Sequence, residues 1–147
     1  MVVEIFTDGA CRGNPGPGGW GVLLKYNEII KTLYGYETYT TNNRMELLAA
    51  IKGIELLKRS CTINLFTDSQ YLCKGMSEWL KNWKKRNWLT AKKMPIKNID
   101  LWKNLDELAM KHAISWHWIK GHSGHYENDF VDALANKAID EMVNIKE

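Results

Sequence analysis

Short hydrophobic runs separated by polar turns divide the first 40 residues of the chain. Residues 3–8 are rich in β-branched and aromatic side chains and predict a strand, followed by a loop dense in glycine and proline over residues 9–19. Residues 20–26 and 30–37 predict two further strands with a short turn between them. Three consecutive strands with short connections favour an antiparallel arrangement.

A helical pattern of apolar residues begins after the third strand. The segment Thr41-Asn42-Asn43 has the side chains of a helix N-cap, and Glu46 lies three residues after Asn43, at the spacing of a capping pair. Apolar residues at helical spacing then continue to Lys58, so one face of this helix is expected to be buried. Residues 62–67 predict a fourth strand, which ends at Asp68.

Three more helices and a fifth strand are predicted beyond Asp68. Ser69 is expected to cap a helix that starts near Gln70, a basic segment follows, and leucines at 101, 105 and 108 mark another helix. Residues 114–119 predict a strand with Ile114, Trp116 and Trp118 on one face. The final helix is expected to bury residues at helical spacing, which are Val131, Leu134, Ala135, Ala138 and Met142.

The order β-β-β-α-β-α-α-α-β-α predicts an α/β fold with a mixed five-stranded sheet. The first three strands are expected to be antiparallel, and the two strands that follow helices are expected to join the sheet in parallel by right-handed crossovers. Helices are therefore expected on both faces of the sheet. A length of 147 residues fits one domain, spanning residues 1–147.

Composition and cysteine usage narrow the class of protein. Hydrophobic residues make up 45% and charged residues 25% of the chain, which is typical of a globular domain. No apolar stretch is long enough to span a membrane, and the N-terminus has no signal pattern. The cysteines at 11, 61 and 73 form no CxxC pair, so a reducing, cytoplasmic location is expected.

Positive charge is concentrated in one segment. Residues 74–97 contain eight basic residues against one acidic residue, whereas the rest of the chain contains 12 basic and 16 acidic residues. Trp79, Trp83 and Trp88 are interleaved with these basic residues. The segment fits a contact with a polyanion, although a solvated helix face would carry the same charges.

Four carboxylates lie where a sheet of this kind would bring them together. Asp8 and Asp68 each follow a predicted strand, Glu46 lies in the first turns of a helix, and Asp132 lies in the first half of the last helix. Converging carboxylates repel each other unless they are protonated or bind a metal, and oxygen-only ligands suit Mg²⁺ or Mn²⁺. Each residue taken alone could equally be a helix cap or a surface acid.

His122 lies in a short loop between Gly121 and Gly124. A solvated imidazole can transfer protons near neutral pH, so His122 is a candidate general acid or base, although an ordinary loop histidine would have the same setting. His125 is a possible partner or a structural residue. No Cys/His cluster has zinc-ligand spacing.

Several blocks of the sequence resemble type 1 ribonuclease H of the bacterial kind. They are residues 3–9 (Val-Glu-Ile-Phe-Thr-Asp-Gly), 13–19, 41–46, 66–71, 118–125, 127–128 and 132–135. The blocks follow the family's order and cover nearly the whole chain. The resemblance implies a ribonuclease H-like fold, and it identifies the segment at about 79–94 as the basic protrusion of the bacterial members.

The resemblance also implies a function and a set of site residues. The expected reaction is endonucleolytic hydrolysis of the RNA strand of an RNA–DNA hybrid, with two Mg²⁺ ions per active site and Mn²⁺ as a possible substitute. It implies four metal-binding, catalytic carboxylates, which are Asp8, Glu46, Asp68 and Asp132, with His122 as a proton shuttle. The expected substrate-binding residues are Cys11, Gly13, Asn14, Thr41, Asn42, Asn43, Gln70, Trp79, Lys84, Lys85, Arg86 and Trp102. The expected partner is the hybrid, not a membrane, and the expected state is a monomer.

Two departures from the family pattern stand out. Tyr126 stands where the family often has proline, and Arg12 adds a charge to the glycine-rich loop.

Three rival functions also fit part of the sequence. A nuclease or strand-transfer enzyme for DNA could share the fold, because fold alone does not fix the substrate. The same residues could also belong to a hybrid-binding module without catalysis or to a metal-stabilised structural domain.

Overall fold

The computed structural model describes residues 2–146, with side chains to residue 143, so Met1 and Glu147 of the predicted domain lie outside the described residues. The strands are β1 (Val2–Cys11), β2 (Gly16–Tyr26), β3 (Ile29–Thr40), β4 (Thr62–Thr67) and β5 (Ala113–Trp118). The α-helices are α1 (Asn42–Glu55), α2 (Gln70–Lys74), α3 (Leu80–Lys85), α4 (Ile99–Ala109) and α5 (Tyr126–Lys146), and a π-helical turn, Gly75–Trp79, joins α2 to α3.

The predicted fold class is confirmed. The five strands form one sheet in the order β3-β2-β1-β4-β5, in which β1 pairs antiparallel with β2, β2 pairs antiparallel with β3, and β4 pairs in parallel with β1 and β5. The order of the predicted strands and helices is also confirmed. The π-helical turn means that two of the three helices expected after β4 form one nearly continuous helical segment.

Helices cover both faces of the sheet, as expected. Val22 belongs to the same core cluster as Leu47 of α1, whereas its neighbour Leu23 packs with Val131 of α5. Adjacent residues of a strand point to opposite faces, so α1 and α5 lie on opposite sides of the sheet. Helix α4 packs beside α1 on the larger core.

The ends of several elements differ from the prediction, and one difference concerns a site residue. Strand β1 continues through Asp8 to Cys11, because its last residues pair with β2 as far as Gly18. Asp8 therefore lies inside a strand rather than at its end. Part of the glycine-rich loop is β-structure, and α1 ends at Glu55 rather than at Lys58.

The basic protrusion is attached to the domain by aromatic rings. The Trp83 ring lies 5.1 Å from the Trp102 ring of α4, with Trp79 at 5.9 Å and Trp88 at 6.5 Å from Trp83. Trp102 has no exposed surface, and its ring fills the space beside Gly75, where a Cβ atom would not fit. Trp102 stays a predicted substrate-binding residue, although its buried ring here packs against the protrusion rather than facing solvent.

Candidate active site

Three carboxylates converge at the C-terminal end of the parallel strands. Asp8 follows the last β1–β4 pair, Thr7 with Thr67, and Asp68 follows β4 directly. Each carboxylate of Asp8, Glu46 and Asp68 offers an oxygen, and these oxygens lie within 4.8 Å of one another. Asp8 and Glu46 are only 3% and 4% exposed.

Glu46 reaches this cluster through a close contact between α1 and β1. The backbone N–H of Gly9 donates a short hydrogen bond to Glu46 Oε1, and a Cβ atom on residue 9 would collide with the backbone of α1. The predicted capping pair with Asn43 does not form, because Thr41 is the N-cap and its Oγ1 accepts from the backbone N–H of Arg44 at 3.2 Å. Glu46 is thereby left to face the sheet.

Burial and mutual repulsion raise the pKa values of this cluster. The pKa of Asp8 is raised by its removal from water, and further by the charges of Glu46 and Asp68. Burial likewise raises the pKa of Glu46, with the charge of Asp68 adding to it. A cation placed among these oxygens would lower the pKa values of Asp8 and Glu46 again, since an opposite charge favours the ionised carboxylate.

Asp132 and His122 lie at the same open cleft of about 460 Å³, although Asp132 is not one of the three clustered carboxylates. Asp132 projects from α5 and forms a hydrogen bond with the side chain of Asp8, which further raises the pKa of Asp8. His122 has a left-handed backbone, with φ at 55°. Its neighbour Gly121 passes so close to Asp68 that a Cβ atom would lie 2.8 Å from Oδ2.

The cleft gathers four of the expected substrate-binding residues. They are Cys11, Asn42, Asn43 and Gln70. Asn14 stands next to this group, because its Oδ1 accepts a 3.0 Å hydrogen bond from the backbone N–H of Asn42. Gly13 takes a left-handed φ of 77° in the turn, and Thr41 caps α1 immediately before Asn42.

The expected substrate-binding residues of the protrusion lie outside the cleft. Trp79 is on the π-helical turn, Lys84 and Lys85 are on α3, and Arg86 caps that helix at its C-terminus. Two aromatic rings connect the cleft to the protrusion, since Tyr71 lines the cleft and its ring lies 5.7 Å from the ring of Trp79.

Tyr71 and Ser69 are cleft residues that were not predicted as part of the site. Ser69 caps α2 as expected, with Oγ accepting from Leu72 N–H at 3.0 Å. The hydroxyl of Tyr71 accepts from Asn98 Nδ2 at 3.0 Å and from Trp102 Nε1 at 3.1 Å. The only signal in the sequence is that Tyr71 follows Gln70 in the first turn of a capped helix, where side chains lie near the strand end.

Among the described helices, none has both the length and the apolar character that crossing a bilayer requires.

Comparisons with known proteins identify the family. The RNase H family model matches residues 1–140. The Ribonuclease H of Legionella pneumophila (strain Lens) is 66% identical over 142 residues, which are 97% of this chain and 99% of that protein. The Ribonuclease H of Halorhodospira halophila is 62% identical over 97% of this chain and 95% of that protein.

Two solved structures support the same family. The crystal structure of LC9-RNase H1, a type 1 RNase H, matches with a TM-score of 0.86 at 32% identity, over 95% of this chain and 72% of that chain. The RNase H1 of the halophilic archaeon Halobacterium salinarum matches with a TM-score of 0.69 at 28% identity, over 96% of this chain and 99% of that chain. The chain therefore belongs to the RNase H family, as a type 1 enzyme of the bacterial kind.

Proposed function

We propose that the carboxylate cleft is the active site with which this RNase H, an endoribonuclease of RNA–DNA hybrids, hydrolyses the RNA strand. The observation that carries this proposal is the cluster of Asp8, Glu46 and Asp68, whose oxygens lie within 4.8 Å of one another in a cleft open to solvent. Buried like charges at this separation are costly without a cation. Their presence at an open cleft therefore supports a metal-dependent reaction.

The donor set fits the divalent metal ions that the family uses. Its ligands are carboxylate oxygens only, which hard cations such as Mg²⁺ prefer over softer metals. We assign Mg²⁺ as the metal, with two ions per active site and Mn²⁺ as a substitute, held by Asp8, Glu46, Asp68 and Asp132. Bound there, the ions would activate a water and stabilise the charge on the departing 3′ oxygen.

The chain itself would orient the ions and move a proton. The hydrogen bond from Gly9 holds Glu46 in place, and Asp132 lies beside Asp8. In the hydrolysis, water supplies a hydroxyl to phosphorus and a proton to the leaving 3′ oxygen, giving 5′-phosphate and 3′-hydroxyl ends. His122 at the rim of the cleft is assigned this proton transfer and the release of product.

Recognition of the hybrid is assigned to the residues around the cleft and to the protrusion. The amide side chains of Asn42, Asn43 and Gln70, with Cys11 and Gly13, would face the minor groove, where the 2′-hydroxyl distinguishes RNA from DNA. Asn14 and Thr41 would hold a phosphate of the DNA strand. Trp79, Lys85 and Arg86 would contact the DNA backbone, and Lys84 would do so only by leaving its ion pair with Asp106.

The remaining assignments concern the protein as a whole. Residues 1–147 form one catalytic domain that includes the protrusion at about 79–94, and the protein acts as a monomer in the cytoplasm. A related structure, LC11-RNase H1, is described in complex with an RNA/DNA hybrid and shares this fold with a TM-score of 0.72 at 22% identity. The same kind of complex is proposed for this chain.

Cleavage of labelled substrates tests the proposal. An RNA–DNA hybrid, duplex DNA, duplex RNA and single strands are incubated with Mg²⁺, with Mn²⁺ and with EDTA. The proposal expects cleavage of the hybrid only, with 5′-phosphate ends, and no cleavage in EDTA. Cleavage of duplex DNA at a comparable rate would indicate a DNA enzyme, and tight hybrid binding without turnover would indicate a binding module.

A further inference from the structure

The loop that carries His122 runs from the end of β5 to the start of α5. Its last residue, His125, forms the N-cap of α5. Its Nδ1 accepts a 3.2 Å hydrogen bond from the backbone N–H of Asn128, and its carbonyl oxygen accepts a 2.9 Å bond from the backbone N–H of Asp129. The first bond satisfies one of the amides that the first turn of a helix leaves unpaired, and the second is the first backbone hydrogen bond of the helix. The cap requires a neutral imidazole with its proton on Nε2, because a protonated Nδ1 cannot accept a bond.

The imidazole ring also fixes this end of the loop to the sheet. The ring centroid of His125 lies 5.9 Å from that of Phe6, which is buried and stacks in turn on Phe66 at 4.8 Å. Phe6 precedes Asp8 by two residues, so both side chains project from the same face of β1. His125 thereby connects the end of the loop to the strand that carries Asp8.

The other end of the loop is held by hydrogen bonds at the end of β4. The backbone N–H of Ile119 donates to Thr67 O at 2.8 Å, and Trp118 Nε1 donates to Asp68 O at 3.0 Å. His122 lies midway between Ile119 and His125 in sequence. Its position at the cleft therefore depends on two fixed points, one on β4 and one at the start of α5.

An ion pair does not account for the placement of His125. The nearest carboxylate oxygen, Glu127 Oε1, is 3.7 Å from His125 Nδ1, which is beyond hydrogen-bond distance. Glu127 Oε2 instead accepts a 2.6 Å bond from Lys25 Nζ, and this partner lowers the pKa of Glu127. The imidazole is thus placed by its cap bond and by its contact with Phe6.

We infer that His125 is a positioning residue for the proton transfer by His122, acting through the cap of α5. The inference rests on the proposed function. Loss of the cap acceptor would loosen the first turn of α5 and release the loop, so that His122 would spend less time at the cleft. The rate of turnover should fall while KM stays nearly constant, because the hybrid is gripped elsewhere.

Three substitutions separate the cap from the ring. His125→Ala removes both, His125→Phe keeps a ring against Phe6 without an acceptor, and His125→Asn keeps a good N-cap acceptor without the ring. We expect kcat to fall by about tenfold in His125→Ala and His125→Phe, as displacement of a catalytic group by about 1 Å can cost 10²-fold. His125→Asn should stay within about threefold of wild type. Equal losses in His125→Asn and His125→Ala would overturn the role of the cap.

A double-mutant cycle tests whether His125 acts through His122. In a His122→Ala background, His125→Ala should lower kcat by less than about twofold. The same tenfold loss in both backgrounds would overturn the inference, since it would show a route that does not involve His122. Amide hydrogen exchange at Asn128 should be faster in His125→Ala and near wild type in His125→Asn, and unchanged exchange in both would refute the cap. Absence of hybrid cleavage by the wild type would instead refute the proposed function.

Discussion

Lys84 Nζ of α3 lies 2.8 Å from Asp106 Oδ1 of α4, and Asp106 is only 7% exposed. The same ammonium group lies 3.8 Å from Met110 Sδ. Lys84 therefore joins the protrusion to the body of the domain, and a phosphate would have to compete with a nearly buried carboxylate for its charge. Lys85 and Arg86, which follow it, are exposed and better placed to contact the hybrid.

This arrangement predicts different effects for neighbouring basic residues. The double substitution Lys85→Ala with Arg86→Ala should lower the slope of log affinity against log salt by roughly 1.5, because each phosphate contact contributes about 0.7–0.9. Lys84→Ala should instead lower the free energy of unfolding by about 1 kcal/mol, since it leaves Asp106 without its partner. Hybrid binding is measured across a salt series with Ca²⁺ in place of Mg²⁺, and unfolding is measured in urea.

A second substitution controls for this interpretation of Lys84. Adding Asp106→Asn to Lys84→Ala should restore part of the lost stability, because it removes the unpaired charge. If Lys84→Ala reduces the salt slope as much as a residue in direct phosphate contact would, the ion pair does not hold Lys84 in the bound state.

His122→Ala should lower kcat without weakening the binding of the hybrid. Proton transfer by a positioned side chain is typically worth about 10²–10⁴-fold, and the carboxylate cluster remains intact in this variant. The loss should therefore be smaller than the loss on removing a carboxylate. Single-turnover rates and hybrid affinity are compared with wild type, and a large fall in affinity would give His122 a binding role instead.

Thr7 and Thr67 are paired across β1 and β4, and both are buried, but their hydroxyls differ. Thr67 Oγ1 accepts a 3.0 Å bond from the backbone N–H of Ser69, whereas Thr7 Oγ1 has no hydrogen-bond partner among the residues described. Thr7→Val should raise the free energy of unfolding by about 1 kcal/mol, and Thr67→Val should lower it by a similar amount. Urea unfolding of the two variants measures both, and changes of the same sign would contradict this account.

Much of the fold followed from the sequence because local patterns and sheet topology agree. The convergence of Asp8 and Asp68 was expected from the ends of parallel strands, and this relation holds even though β1 continues beyond Asp8. The extension was not predictable from the glycines and prolines of residues 9–19, because pairing with β2 overrides their local preference.

The features that the sequence did not predict depend on contacts between distant elements. The sequence does not distinguish the setting of Trp79 from that of Trp102, and only the packing of α3 against α4 shows that Trp102 is buried. The inward direction of Glu46 depends on the space left by Gly9, and the capping role of His125 depends on the backbone at the start of α5. The resemblance to a family supplied residue roles that no local pattern contains.

Asp8→Asn and Asp68→Asn should each reduce hybrid cleavage by at least about 10³-fold in saturating Mg²⁺. Each substitution removes a negative ligand from a donor set that depends on charge to hold a divalent cation. Asp106→Asn serves as a control, because it removes an acidic residue outside the cleft. Initial rates on a labelled hybrid measure the effect, and more than a tenth of wild-type activity in either variant would exclude that residue as a metal ligand.

Asp8→Asn should also make the metal-free protein more stable, increasingly so as the pH rises. Burial and the charges of Glu46 and Asp68 raise the pKa of Asp8 above its value in the unfolded chain. A raised carboxylate pKa contributes stability at low pH, and that contribution is lost as the pH rises from the unfolded toward the folded value. The Asp8→Asn variant has no ionisable group at this position, so its stability does not fall in this way as the pH rises.

Thermal unfolding in EDTA at pH 5 and pH 8 measures this difference. The Tm of Asp8→Asn should exceed that of wild type by about 3–8 °C at pH 8, which corresponds to roughly 1–2 kcal/mol for a domain of this size, and by less at pH 5. Saturating Mg²⁺ should raise the wild-type Tm and reduce the gap, because a ligand that binds only the folded state stabilises it. A gap that is equal at both pH values would mean that repulsion among the carboxylates does not limit stability.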